Sequence, residues 1–421
     1  MLQIPNFVVY YCWTFVQIVQ SSSILAEFST KNNFGIQNLA IQDEKTIFLG
    51  TTNYLYKLES ENLHILDFIQ TGPVMDSPYC NFNGDCTNWN NKKTVNKSMI
   101  DNYNKILLLI KAKNRTLISC GSVKQGVCNF YASSDFRELD EISPKIAVAS
   151  NAKNASTVAF LDLENFETLF VGASYTLEPY RHEFPAVASR TLASRSLQLR
   201  NQNAVGQSAM ILRTENRWDF KIDYIFGFYA QKFAYWALVQ KESLSHGAPM
   251  VSKLARICSQ DQDYSSYSEI ILECLDQQNF KFNILKSAFF GQISGKFYLF
   301  GIFEKFSKSA LCIFPLKDVD SSFKLNIERC LNGIDYSNLP HFGLNRKCQK
   351  IAGNRRDNSS CNKINVGGSL PLTKVTSLTA TAAILTSVTA YGETLFVGTN
   401  NGQILKVIFS ILETLNLIIR I

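Results

Sequence analysis

Charge is scarce in this chain: only 18% of its 421 residues are Asp, Glu, Lys or Arg, and the formal net charge is +7. No run of five like charges occurs, and the basic pairs Lys92-Lys93 and Arg355-Arg356 are isolated. A nucleic-acid reader needs a concentrated basic face, so that class is excluded. Histidine is rarer still, with His64, His182, His246 and His341 the full set. There is no His-Glu-x-x-His, no Gly-x-Ser-x-Gly elbow and no phosphate-binding Gly-Lys-Ser/Thr loop, which removes the common hydrolase and nucleotide sites. Cys-x-x-Cys is absent, against a structural zinc site. Asp261-x-Asp263 and Asp318-x-Asp320 lack calcium-loop spacing and read as loop acids. The chain is expected to be no enzyme and to carry no cofactor, metal or small-molecule substrate.

What is present points to a large, oxidised β-protein. Hydrophobic residues make up 46%, including 30 Phe, enough for a sizeable core. The stretch Phe7 to Val19 is apolar and is followed by Ser21, Ser22, Ser23 and Ala26. Residues 1–23 are therefore expected to be a signal peptide, although no Lys or Arg precedes the stretch. The rival, a membrane anchor, needs ~20 apolar residues. Without Cys12, ten cysteines remain; an even count behind a leader favours disulfides and an extracellular address. The sequons at Asn96, Asn114, Asn154 and Asn358 agree with secretion.

An internal repeat carries the fold expectation. Glu167-Thr-Leu-Phe-Val-Gly172 recurs identically as Glu393-Thr-Leu-Phe-Val-Gly398, with Lys45-Thr-Ile-Phe-Leu-Gly50 a near copy. Weaker copies lie at Thr116–Gly121, Phe233–Val239 and Lys296–Gly301. Each reads as a buried strand that opens a hairpin. Six irregularly spaced copies suit a β-propeller with variable loops, a β-sandwich being the alternative. No Pro-rich or Gly/Ser linker divides the chain, so one domain is expected.

Further motifs carry a family resemblance. Thr71-Gly-Pro-Val-Met-Asp-Ser-Pro-Tyr-Cys80, Asp101 to Leu107, Cys120-Gly-Ser-Val-Lys-Gln-Gly-Val-Cys128, Asn154 to Val158, Leu169 to Thr176, Leu254 to Cys258 and Thr394 to Val407 resemble, in order, the extracellular sema domain of plexins. The resemblance implies an all-β, disulfide-stapled, seven-bladed propeller, of which about six blades are visible. It gives residues 24–408 as an incomplete sema domain and 409–421 as an apolar tail outside the family pattern. It pairs Cys80 with Cys86, Cys120 with Cys128, Cys258 with Cys361, Cys274 with Cys312, and Cys330 with Cys348. It implies a semaphorin receptor acting in cell and axon guidance, with the sema domain of a semaphorin as partner and plexin self-association as a second contact. A secreted sema ligand or decoy is the alternative. The family's contact edge maps to Ser174–Asn216 here, and within it to Tyr180, Arg181, His182, Glu183 and Phe184. Phe184 is read in two ways, as an exposed anchor among charges or as a core residue on a strand.

Overall fold

The computed structural model describes residues 26–420, apart from 87–94, 111–114, 140–144, 165, 177–183, 204–206, 351–360, 362, 381–382 and 410–414. The leader expected at 1–23 lies outside the described residues, as do the sequons at Asn114 and Asn358.

Six larger sheets follow one another along the chain, antiparallel except where Val366–Gly367 and Leu372–Val375 join the fourth in parallel, and a two-stranded sheet of Val74–Asp76 and Ser98–Ile100 lies between the first and second. The first joins Ile36–Ile41, Thr46–Thr51, Tyr54–Glu59 and Ile65–Gln70. The second joins Asn104–Ile110, Thr116–Gly121 and Cys128–Ala132, with an isolated bridge from Tyr131 to Glu138. Thr157–Leu161, Thr168–Ala173, Val187–Thr191 and Ala209–Met210 make the third. The fourth is built on Ile222–Ala230, Phe233–Lys241, Met250–Cys258 and Ser268–Leu275, and three short strands extend it. Ile284–Ile293, Lys296–Lys305, Lys308–Pro315 and Leu378–Ala380 form the fifth. The sixth holds Leu385–Tyr391, Thr394–Thr399, Ile404–Phe409 and Leu415–Arg420.

The first strands of the six sheets pack side by side in chain order, which is the blade arrangement of a propeller. All six copies of the repeat fall on the second strand of a sheet: Thr46–Thr51, Thr116–Gly121, Thr168–Ala173, Phe233–Lys241, Lys296–Lys305 and Thr394–Thr399. The reason is burial. A second strand is paired along both edges, and in the middle sheets it is also covered on both faces, so its run is largely apolar. Thr168–Ala173 is buried at all six positions. The glycine of the repeat allows the next sheet to approach. A Cβ on Gly50 would lie 2.2 Å from Asn104 Oδ1, and one on Gly172 would lie 2.5 Å from Tyr224 Cδ1.

Five disulfides staple the fold, joining Cys80 to Cys86, Cys120 to Cys128, Cys258 to Cys361, Cys274 to Cys312 and Cys330 to Cys348. These are the partners the resemblance implies. The expectation for 409–421 needs correcting. Leu415–Arg420 pairs with Ile404–Phe409 as the fourth strand of the sixth sheet, so this stretch is part of the blade. Its alternation is hard to see because Leu415-Asn-Leu-Ile-Ile-Arg420 lacks the turn signals that frame the other strands.

The single α-helix among the described residues, Leu316–Leu331, leaves the fifth sheet and returns through a loop tied by Cys330–Cys348. It buries Leu316, Val319, Phe323 and Ile327. From the fourth sheet, Arg256 inserts between Phe233 and Phe323, its guanidinium 4.3 and 4.2 Å from the two rings. Asp320 accepts from Arg256 at 3.2 Å and from Tyr235 at 3.0 Å. That pairing accounts for one of the acids considered as cation ligands. Asp261 is likewise engaged by the Ser266 amide at 2.6 Å and by the Ser265 hydroxyl at 3.3 Å.

Candidate ligand-binding edge

Each sheet of a propeller hands over to the next on one face, and loops on that face sit on a rigid support. Between the third and fourth sheets the crossing is made by residues 211–221. This stretch is firmly tied down. The Arg213 amide donates to the His341 carbonyl at 3.0 Å, Asn216 Nδ2 to the Pro340 carbonyl at 3.3 Å, and Arg217 Nε to the Leu212 carbonyl at 2.9 Å. Residues 217–219 form a turn, in which the Phe220 amide donates to the Asn216 carbonyl at 2.9 Å, and the strand begins at Ile222. Trp218 points to solvent and is 76% exposed, whereas Phe220 and Ile222 turn inward and are buried.

Arg217 and Tyr175 meet at this corner, and the exposed Trp218 follows Arg217 in the chain. The Arg217 guanidinium lies 5.5 Å from the centre of the Tyr175 ring, within reach of a cation–π contact. Tyr175 ends the segment that follows the buried strand Thr168–Ala173. Trp218 stands free beside Arg217, and the following Asp219 pairs with Lys241. Tyr, Arg and Trp are the residue types that most often anchor a protein–protein contact.

Beneath the corner lies a buried polar cluster. Glu269 is fully buried and accepts four hydrogen bonds, from Lys253 Nζ at 2.9 Å, Gln240 Nε2 at 3.0 Å, Tyr267 OH at 2.9 Å and His341 Nε2 at 3.3 Å. Burial works to raise the Glu269 carboxyl, but Lys253 and then His341 outweigh it and hold the carboxyl well below its usual range. His341 is itself buried, and burial pushes the imidazole below its ordinary value, against the opposing pull of Glu269. The ion pair at the centre is Lys253–Glu269, with a neutral His341 donating to it.

The expected contact residues divide. Tyr180, Arg181, His182 and Glu183 lie outside the described residues. Phe184 does not serve as an exposed anchor. It is 6% exposed and packs among Leu169, Val171, Leu192 and Leu197, between the second and third sheets. The core reading of Phe184 holds because it stands just ahead of the strand Val187–Thr191 and turns inward with it. Trp218, two residues past the expected edge, was missed. Period-two spacing does not find it, since it would place Trp218 on the buried side with Phe220 and Ile222; the turn at 217–219 takes it out of that register.

Comparison with known proteins agrees with this architecture. The Sema domain family model matches residues 285–419, a span that reaches into the last strand. The chain is similar to Plexin-2 of Caenorhabditis elegans, 32% identical over 366 residues, covering 86% of this chain and 19% of that protein. The chain carries a sema domain of the plexin type. It spans about a fifth of the length of that curated relative. A structure titled as the full extracellular region of Plexin A4 superposes with a TM-score of 0.77 at 24% identity, covering 89% of this chain and 45% of that one. Drosophila Plexin A in complex with Semaphorin 1b superposes at 0.57 and 14% identity, over 95% and 79% of the two chains. Those two likenesses concern the fold. Sema domains form a recognition fold and not an enzyme family. No described helix is long and apolar enough to cross a membrane.

Proposed function

We infer that this plexin-type sema domain is the semaphorin-recognising part of a cell-surface receptor, and that it meets the sema domain of a semaphorin at the corner between its third and fourth sheets. The observation that carries this reading is Trp218, exposed beside an Arg217 that is held by Tyr175 and above a Phe220 that is locked in the core. An apolar anchor with a charged neighbour on rigid backing is the composition of an interface centre. The plexin relatives and the Drosophila complex support the partner class. Tyr180, Arg181, His182 and Glu183, to which the plexin resemblance maps the family's contact edge, are proposed to belong to the same contact. Plexin self-association would use another surface.

The reading includes an extracellular address, with residues 1–23 as a leader. Asn96 and Asn154 are both exposed and are proposed to carry glycans. Surface plasmon resonance with the secreted chain immobilised and a panel of semaphorin ectodomains as analytes tests the function. Saturable binding of at least one is expected; no binding by any member, from a monodisperse folded sample, contradicts it.

A further inference from the structure

The opposite face of the propeller holds a cavity of about 530 Å³, where the first two strands of the third, fourth and fifth sheets turn. Its wall is nearly all apolar. Leu161 and Leu163 come from the third sheet, Phe228 and Tyr229 from the fourth, and Phe290 and Phe297 from the fifth. Among the described residues, no Asp, Glu, Lys, Arg or His lines it, and Gln231 is the one side-chain amide.

The aromatic rings there form an ordered series. Tyr235 lies parallel to Phe228 (4.7 Å between centroids, 7° between planes), Phe228 to Phe290 (4.2 Å, 12°), and Phe290 to Phe297 (5.6 Å, 5°). The series runs from a fully buried ring, Tyr235, to one 42% exposed, Phe297. Gly227 takes part in keeping the wall close: a Cβ there would lie 2.3 Å from Phe160, so only glycine lets that ring sit against the inner strand. Pockets of this size, apolar with a few polar groups at one side, are the usual form of small-molecule sites.

We propose that this cavity binds a neutral, planar aromatic small molecule, which stacks in line with the Phe228–Phe290–Phe297 rings and presents its one polar group to Gln231. The absence of charged side chains from the wall disfavours an ionised ligand, whose desolvation nothing would offset. The parallel rings favour a flat ligand over a branched aliphatic one, because an offset-stacked ring extends the series. The site lies on the face away from Trp218, so it is independent of semaphorin recognition.

The test uses the secreted chain and the neutral probe N-phenyl-1-naphthylamine, followed by fluorescence titration. Saturable binding at one site is expected, with a dissociation constant on the order of ten micromolar from the usual yield per heavy atom. Leu163 is 58% exposed, so Leu163→Arg leaves the core intact while charging the cavity mouth. It should weaken binding at least tenfold, as should Phe297→Ala. Phe68, half-exposed on the first sheet, reports on general surface adsorption; Phe68→Ser should change nothing. A signal that never saturates, or one that survives Leu163→Arg and falls with Phe68→Ser, overturns the proposal.

Discussion

Phe220 lies flat on the imidazole of His341, with ring centroids 4.5 Å apart and planes 9° apart. This contact ties the crossing between the third and fourth sheets to the loop stapled by Cys330–Cys348. It also links the exposed Trp218, two residues from Phe220, to the buried charge cluster at Glu269.

That link has a pH signature. His341 is held below its unfolded value of 6.5, so below that pH the unfolded chain binds a proton that the native chain resists. The stability it contributes is complete above about pH 6.5 and declines as pH falls. Glu269, also depressed, adds a loss only below its own unfolded range near 4.5. Urea midpoints should therefore fall between pH 7.5 and pH 5 in the native sequence. His341→Gln, which keeps an amide donor, should flatten that slope. An identical slope in the variant would refute the assignment.

Lys253 and Glu269 are both nearly or wholly buried. Removing one partner strands the other charge, at a cost of about 3–5 kcal/mol. Lys253→Met should lower unfolding free energy by that order in urea titrations. Adding Glu269→Leu should recover part of the loss, since the stranded carboxylate is gone. A double variant as unstable as the sum of the two singles would contradict the pairing.

The Cys258–Cys361 bond closes a separation of 103 residues, against 6 for Cys80–Cys86. In the chain-entropy model a loop of about 100 residues is worth about 4.7 kcal/mol, and one of about seven residues roughly half of that. Replacing Cys258 and Cys361 by Ser should lower the thermal midpoint more than replacing Cys80 and Cys86. Non-reducing peptide mapping should recover Cys258 linked to Cys361, and any other partner for Cys258 would count against this arrangement.

Gly172 separates a packing constraint from a turn constraint. A Cβ there would lie 2.5 Å from Tyr224 and 2.7 Å from Trp236, two buried rings. Gly172→Ala should cost about 1–3 kcal/mol by overpacking, measured by denaturant titration. An unchanged midpoint would show that the third and fourth sheets are less tightly packed than described.

The blades were legible because their second strands are paired along both edges and, in the middle sheets, buried on both faces. Such a strand must be a continuous apolar run, and the run ended by Gly172 or Gly398 is visible without any partner. The outer strand Leu415–Arg420 was not, because outer strands lack that two-sided burial and carry no fixed pattern. Within the contact edge, Phe184 was ambiguous for a related reason. An aromatic next to Arg181, His182 and Glu183 looks like an interface anchor, yet its partners Leu169 and Leu197 lie elsewhere in the sequence. Lys253–Glu269–His341 was invisible, since its members are separated by 16 and 72 residues. Only the fold brings them together.

The most direct test of the central claim measures the affinity of a bound semaphorin ectodomain for Trp218→Ala and for Arg181→Glu by surface plasmon resonance. Trp218→Ala leaves the core untouched, because Trp218 is exposed. The account predicts that Trp218→Ala weakens binding by roughly 2 kcal/mol or more, as expected of an interface anchor, and that Arg181→Glu weakens it as well. Unchanged affinity in both, with native circular dichroism, would contradict semaphorin recognition at this corner.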